Sequence, residues 1–139
     1  MKTLRALVVL ALAGCATTAT ALAHHSFSAE YDAKMPVTLK GTVIKMEWIN
    51  PHSWIHLAVK NADGTTTEWM IESGTPNTLV RRGFTKQSLL PGTEITVEGY
   101  RAKNGANRAN GADLILADGK RLFLGSSGTG APKEAPDGQ

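Results

Sequence analysis

Cysteine is nearly absent from this sequence, because Cys15 is the only one among its 139 residues. A single cysteine excludes an intramolecular disulfide and a cluster of thiolate ligands for a metal ion. Cys15 also lies within a segment that has the pattern of an export leader, so removal of that segment would leave a chain without any thiol. We therefore expect the mature fold to be held together by its hydrophobic core.

The familiar catalytic motifs are lacking as well. The chain contains no G-x-S-x-G nucleophile elbow, no H-E-x-x-H pair, no phosphate-binding loop and no dinucleotide-binding glycine pattern. A strong excess of positive charge is also missing, since Lys2 and Arg5 leave with the leader and the formal net charge falls from +3 to +1. We predict a binding protein that is not an enzyme and has no nucleic-acid partner, because nucleic-acid binding generally needs a concentrated basic face.

The first 23 residues are predicted to be a secretory signal peptide. Lys2 and Arg5 precede a short apolar run, and small residues then lead to Ala21-Leu22-Ala23. The apolar run is too short to cross a bilayer as a helix, and no later stretch comes closer, so no transmembrane helix is expected. These features predict an exported, periplasmic protein.

Leu12-Ala13-Gly14-Cys15 supports a second interpretation of the leader. This tetrapeptide has the form of a lipobox, at which bacterial lipoproteins are cleaved and acylated on the cysteine. Cleavage there would give a membrane-anchored lipoprotein with its lipid on Cys15, whereas cleavage after Ala23 would make His24 the N-terminal residue. We favour cleavage after Ala23, and the lipoprotein remains the alternative.

The rest of the chain has the pattern of a mainly β domain. Alternating or β-branched stretches between Gly-, Pro- and Asn-containing turns predict strands at residues 37–49, 54–60, 65–72, 94–101, 113–117 and 120–124. Thr75-Pro76 has the form of an N-cap followed by proline, and Gly83 would end a short helix there. Three strands, a helix and further strands is the order of an OB-fold, so we predict a small OB-fold-like barrel, with a β-sandwich as the alternative.

The predicted domain organisation follows from this pattern. Residues 24–36 are polar and mixed and are assigned to an N-terminal arm, and residues 37–124 to the β-barrel domain. Residues 125–139 are rich in Gly, Ser, Pro and charged side chains and are predicted to be a disordered tail. With residues 1–23 as the signal peptide, the mature chain has room for one small domain.

All four histidines lie after the predicted cleavage site, in two short stretches. An N-terminal His24 would offer its amine and its imidazole as a bidentate nitrogen donor, which suits copper(II). His25, His52 or His56 would add an imidazole, and Met70 a thioether for copper(I). In a regular strand His52 and His56 are about 13 Å apart, which is too far for the two to hold one ion directly.

Side chains alternate across a strand, so the predicted hairpin has an outer face opposite its apolar core face. The residues predicted to share this outer face are His52, Trp54 and His56 on one strand and Glu68, Met70 and Glu72 on its partner. In the favoured interpretation the protein binds a transition metal, with copper preferred, through the N-terminal and strand histidines. In the alternative it is a metal-free, OB-fold-like module that binds a small molecule or a protein partner at Trp54, Glu68 and Glu72.

Several short motifs together resemble one protein family. They include His24-His25-Ser26-Phe27, Asn50-Pro51-His52 with Trp54-Ile55, and Val97-Glu98-Gly99-Tyr100-Arg101-Ala102. The combination is similar to a family of small exported bacterial proteins of unknown function, marked by the Asn-Pro-His motif, and covers most of residues 24–125. The resemblance implies an exported, single-domain, β-rich protein with the histidine pair at or near its mature N-terminus. It implies no particular activity, and the lipobox at Cys15 departs from the plain leader expected for the family.

Overall fold

The computed structural model describes residues 26–125 of the chain. The predicted signal peptide, Cys15, His24 and His25 lie outside the described residues, as does the predicted tail after Gly125. The described residues form α1 (Ser26–Glu30), β1 (Tyr31–Glu47), β2 (Trp54–Lys60), β3 (Thr66–Glu72), α2 (Pro76–Arg81), β4 (Glu94–Ala102), β5 (Arg108–Leu116) and β6 (Arg121–Phe123). Neither of these helices has the length and apolar character that a membrane crossing requires.

The six strands form one hydrogen-bonded sheet in the order β3-β2-β1-β4-β5-β6. Neighbouring strands are antiparallel, and β3 also pairs in parallel with β5 where Met70 lies opposite Arg108. This additional pairing closes β1 to β5 into a ring of five strands. The prediction of a mainly β domain with a short helix between the third and fourth strands is therefore confirmed. The described strands belong to one sheet, whereas a β-sandwich has two.

β1 is long enough to take part in two sides of the ring. Its first part pairs with β4 as far as Thr42, and its last part pairs with β2 from Gly41 to Glu47. Gly41 therefore lies where the two pairings overlap. A Cβ atom added at Gly41 would lie 2.4 Å from the carbonyl oxygen of Ala58, so the missing side chain allows β2 to pack closely against β1.

The main hydrophobic core draws on every strand of the ring. It buries at least one apolar side chain from each of the five: Val43, Ile55, Ile71, Val97 and Leu114. α2 adds Leu79, and the start of this helix is capped because the Thr75 hydroxyl accepts from the backbone N–H of Thr78. The core thus supports the β2–β3 hairpin from one side and leaves its other face for the polar residues predicted there.

A second, smaller cluster lies at the beginning of the described chain. The ring of Phe27 in α1 lies 5.8 Å from that of Tyr31 in β1 and 5.6 Å from that of Tyr100 in β4, measured between centroids. Residues 26–36, which the sequence assigned to an extended arm, therefore form α1 and the start of β1. Burial of large aromatic rings is the physical reason, since each removes a large apolar area from water.

Candidate functional site

The register of β2 and β3 brings the predicted outer-face residues together. Trp54 pairs with Glu72, and His56 pairs with Met70. Glu68 lies two residues before Met70 on the same side of β3, because side chains alternate along a strand. Four of these side chains form two histidine–carboxylate pairs, His52 with Glu72 and His56 with Glu68.

His52 is bonded to a buried carboxylate. Its Nδ1 donates to Oε1 of Glu72, and the hydroxyl of Tyr31 donates to Oε2 of the same carboxylate. Glu72 is only 7% exposed, and Tyr31 is buried as well. A carboxylate this deeply buried needs hydrogen-bond donors in place of water, and these two side chains supply them.

Arg108 extends the hydrogen bonding towards α1. Its Nη2 donates to the Tyr31 hydroxyl at 3.2 Å and to Oε2 of Glu30 at 2.9 Å. Its guanidinium carbon lies 5.1 Å from the ring centroid of Trp54 and 5.9 Å from that of Tyr31, within the range of cation–π attraction. A continuous chain of hydrogen bonds therefore connects the end of α1 to the imidazole of His52.

These side chains surround a pocket with a volume of about 300 Å³. Phe27, Ile49 and Trp54 contribute apolar walls. The charged groups that line it are the carboxylates of Glu30 and Glu72 and the guanidinium of Arg108. Two negative charges against one positive charge favour a cation over an anion in this pocket.

Burial sets the protonation states of the two groups that flank Glu72. It lowers the pKa of His52 from the ordinary value of 6.5, although the carboxylate of Glu30 opposes this shift. It raises the pKa of Tyr31 above 10.0, against the opposing effect of Arg108. Burial therefore favours the uncharged form of His52, which is the form that a metal ligand requires, and keeps on the phenol of Tyr31 the proton that it donates.

His56 lies in a different setting on the same face. Its side chain is buried, its Nδ1 lies 2.6 Å from Oε1 of Glu68, and its Nε2 lies 3.6 Å from Oε1 of Glu47. The Nε2 atom is itself buried and makes no hydrogen bond to the described residues. Neither His56 nor Met70 lines the pocket, so the structure separates them from His52 and Trp54.

A complete metal site is not assembled within residues 26–125. No group of three or more His, Cys, Asp or Glu side chains in this range is placed to hold a metal ion. Two of the predicted ligands, His24 and His25, precede this range. Of the predicted metal ligands within it, His52 is the one that lines the pocket.

Sequence reasoning missed several residues of the pocket, above all Tyr31 and Arg108. Tyr31 lies in the predicted arm and Arg108 lies between the strands predicted at residues 94–101 and 113–117, and neither position carries a local signal for a site. Tyr31 reaches the pocket because it starts β1 and pairs with Ala102, and Arg108 reaches it through the parallel pairing with β3. Both placements depend on long-range strand pairing, which short motifs do not report.

A sequence model of a family described as "family of unknown function (DUF6152)" matches residues 11–111. The match covers well over half of the chain. The chain belongs to this family. Membership in DUF6152 supports the expectation of a family without an assigned activity. A comparison with curated proteins found no match.

Proposed function

We propose that this protein is exported to the periplasm and binds a transition-metal ion, with copper favoured, at the pocket that His52 lines. The observation that carries the proposal is the bond between His52 and the buried carboxylate of Glu72. Histidines that ligate metals generally donate their other ring N–H to a carboxylate, carbonyl or water, which fixes the tautomer and the ring orientation. Because Nδ1 is engaged by Glu72, Nε2 is the nitrogen that His52 can offer to a metal.

The protonation and charge of the pocket support a cation. The lowered pKa of His52 keeps its imidazole neutral near pH 7, so a metal does not have to displace a proton from it. The net negative charge of the lining groups acts in the same direction. A transition metal is favoured over calcium or magnesium because imidazole nitrogen is a poor ligand for those harder cations.

The chain connectivity supports His24 and His25 as further ligands. His25 directly precedes Ser26, the first residue of α1, and Phe27 of the same helix lines the pocket. Each residue extends a chain by at most about 3.6 Å, so the short sequence distance from His24 and His25 to Phe27 supports the two histidines as candidate ligands. Cleavage after Ala23 would give His24 a free amine, and two nitrogens from one residue suit copper(II).

The terminal amine is tested by acetylating the amine of His24. Copper(II) affinity is measured by competition with a chromophoric chelator, for the chain that begins at His24 and for the acetylated chain. We expect acetylation to weaken binding at least about tenfold, because an amide nitrogen replaces the amine. Equal affinities would remove His24 as a chelating residue, and absence of binding by the chain that begins at His24 would contradict the proposed function.

The cleavage site has to be established on the exported protein. A native mass spectrum of the protein recovered from its own export compartment distinguishes a chain that begins at His24 from one acylated at Cys15. We expect the former, carrying one metal ion. An acylated chain would identify the lipoprotein of the alternative interpretation and would leave His24 as an internal residue without a free amine.

The metal-free alternative has one observation in its favour. A pocket volume of about 300 Å³ lies at the lower end of the range for small-molecule sites, and Trp54 supplies an aromatic wall. If the protein binds a small organic molecule there, the native mass spectrum shows a non-metal adduct that is lost in Trp54→Ala. If instead it binds a protein partner through Trp54, Glu68 and Glu72, the spectrum shows a heteromeric complex that the same variant loses.

A further inference from the structure

The hydroxyl of Tyr31 lies at the centre of the hydrogen-bonded network. It donates to Oε2 of Glu72 and accepts from Nη2 of Arg108. Tyr31 is 2% exposed, and its ring packs against Phe27 on one side, with the Arg108 guanidinium near its face. A ring packed in this way cannot turn its hydroxyl aside, so the oxygen is held at one point next to the carboxylate.

The carboxylate of Glu72 would have rotational freedom without this contact. Rotation of a terminal carboxylate is broad and only weakly restricted by its own torsional preferences. The Tyr31 bond to one oxygen fixes the plane of the group, and the other oxygen then faces Nδ1 of His52. The orientation of the imidazole is therefore set by two successive hydrogen bonds.

We propose that Tyr31 is a positioning residue for His52, acting through Glu72, and that its hydroxyl keeps the proton on Nδ1 and presents Nε2 to the metal. The consequence for metal affinity rests on the proposed function, whereas the effect on His52 itself does not. Tyr31 is also the first residue of β1, directly after α1, so one side chain connects the element that follows His24 and His25 to the strand histidine.

Tyr31→Phe is the direct test, because it removes one oxygen atom and keeps the buried ring. Tyr100→Phe is the matched control, since Tyr100 is buried in the same aromatic cluster but does not line the pocket. In the metal-free proteins, long-range ¹H–¹⁵N NMR reports which imidazole nitrogen of His52 carries the proton. We expect the Nδ1–H tautomer in the wild-type chain and in Tyr100→Phe, and a mixture of tautomers in Tyr31→Phe.

Copper(II) affinity and the electron paramagnetic resonance spectrum give the second measurement. Loss of a hydrogen-bonding partner behind a metal ligand typically lowers metal affinity about 10- to 100-fold. We expect Tyr31→Phe to lose at least about tenfold in affinity and to show altered copper hyperfine splitting, with Tyr100→Phe unchanged in both. A variant that only loosened the fold would change NMR signals throughout the chain. A change confined to the His52 tautomer therefore indicates the positioning role.

The two proposals fail in different ways. If Tyr31→Phe keeps both the His52 tautomer and the copper spectrum of the wild type, the positioning role is overturned and metal binding stands. If the wild-type chain binds no copper but Tyr31→Phe changes the tautomer, the positioning role stands and metal binding fails. If Tyr31→Phe does not fold, the exchange rate of the Tyr31 hydroxyl proton in the wild-type chain is the test. Slow exchange supports the bond to Glu72, and rapid exchange contradicts it.

Discussion

Two histidine–carboxylate pairs lie on the same face of the β2–β3 hairpin, and their burial is opposite. In the first pair the Glu72 side chain is 9% exposed and the His52 side chain 24%. In the second pair the His56 side chain is 9% exposed and the Glu68 side chain 55%. The same two residue types therefore provide an accessible imidazole held by a buried carboxylate in one case, and a buried imidazole beside a solvated carboxylate in the other.

The difference assigns different roles to the two histidines. Both nitrogens of His56 face carboxylates: Nδ1 is within hydrogen-bond distance of Glu68 of β3, and Nε2 lies 3.6 Å from Glu47 of β1. This ring therefore lies between the strands on either side of β2. One nitrogen of His52 faces Glu72, and the ring lines a pocket that the His56 ring does not reach. Both histidines lie on this face of the hairpin, but only one of them lines the pocket. The position relative to the pocket therefore decides which histidine can serve as a ligand.

The largest expected effect is a difference in copper affinity between variants of the two histidines. We expect His52→Gln to lose at least about 100-fold in affinity, about 2.7 kcal/mol, because a ligand is removed. His56→Gln should change affinity by less than about threefold, because His56 does not line the pocket. Competition titrations of both variants against the chain that begins at His24 measure this difference.

Circular dichroism of both variants is the control for folding. Similar losses in the two variants, with both folded, would mean that the two pairs act together and would contradict the division of roles. A larger loss in His56→Gln would reverse the assignment of the ligand.

The second expected effect is a difference in folding stability between variants of the two carboxylates. Glu72→Gln should lower the free energy of unfolding by about 2 kcal/mol, because the new amide NH₂ faces one of the two donors that bond Glu72 and leaves it buried without an acceptor. Glu68→Gln is the matched change at an exposed position and should cost at most about 0.5 kcal/mol. Urea denaturation of both variants tests this, and equal losses would show that burial does not distinguish the pairs.

The outer face of the hairpin was predictable because it depends on local alternation. Trp54 and His56 point away from the core for the same reason that Ile55 and Leu57 point into it, and the turn between the strands fixes their register. The predicted strand at residues 54–60 coincides with β2, and the helix after Thr75 is where its cap and proline indicate. These features need only a few neighbouring residues to be specified.

The pocket was not predictable in the same way. Tyr31 contacts Glu72 across 41 positions and Arg108 across 77. The sequence around Tyr31 is polar and mixed, so alternation does not reveal that its ring is buried under α1 and against β4. The opposite burial of Glu68 and Glu72 has the same cause, because only Glu72 lies beside the residues that α1 and β5 bring to the hairpin.

The smallest expected effect is a pH dependence of stability that belongs to His52. Burial lowers its pKa below 6.5 in the folded chain, so between that lowered value and 6.5 the unfolded chain binds more protons than the folded one. The contribution of His52 to stability is therefore fully present above about pH 6.5 and is lost as the pH falls through the folded pKa. Urea denaturation from pH 7.5 to pH 5 should show a steeper loss of stability on acidification for the wild-type chain than for His52→Gln. A wild-type chain that gained stability relative to His52→Gln on acidification would show that the buried carboxylate of Glu72 outweighs desolvation, and that His52 is charged where we have described it as a neutral ligand.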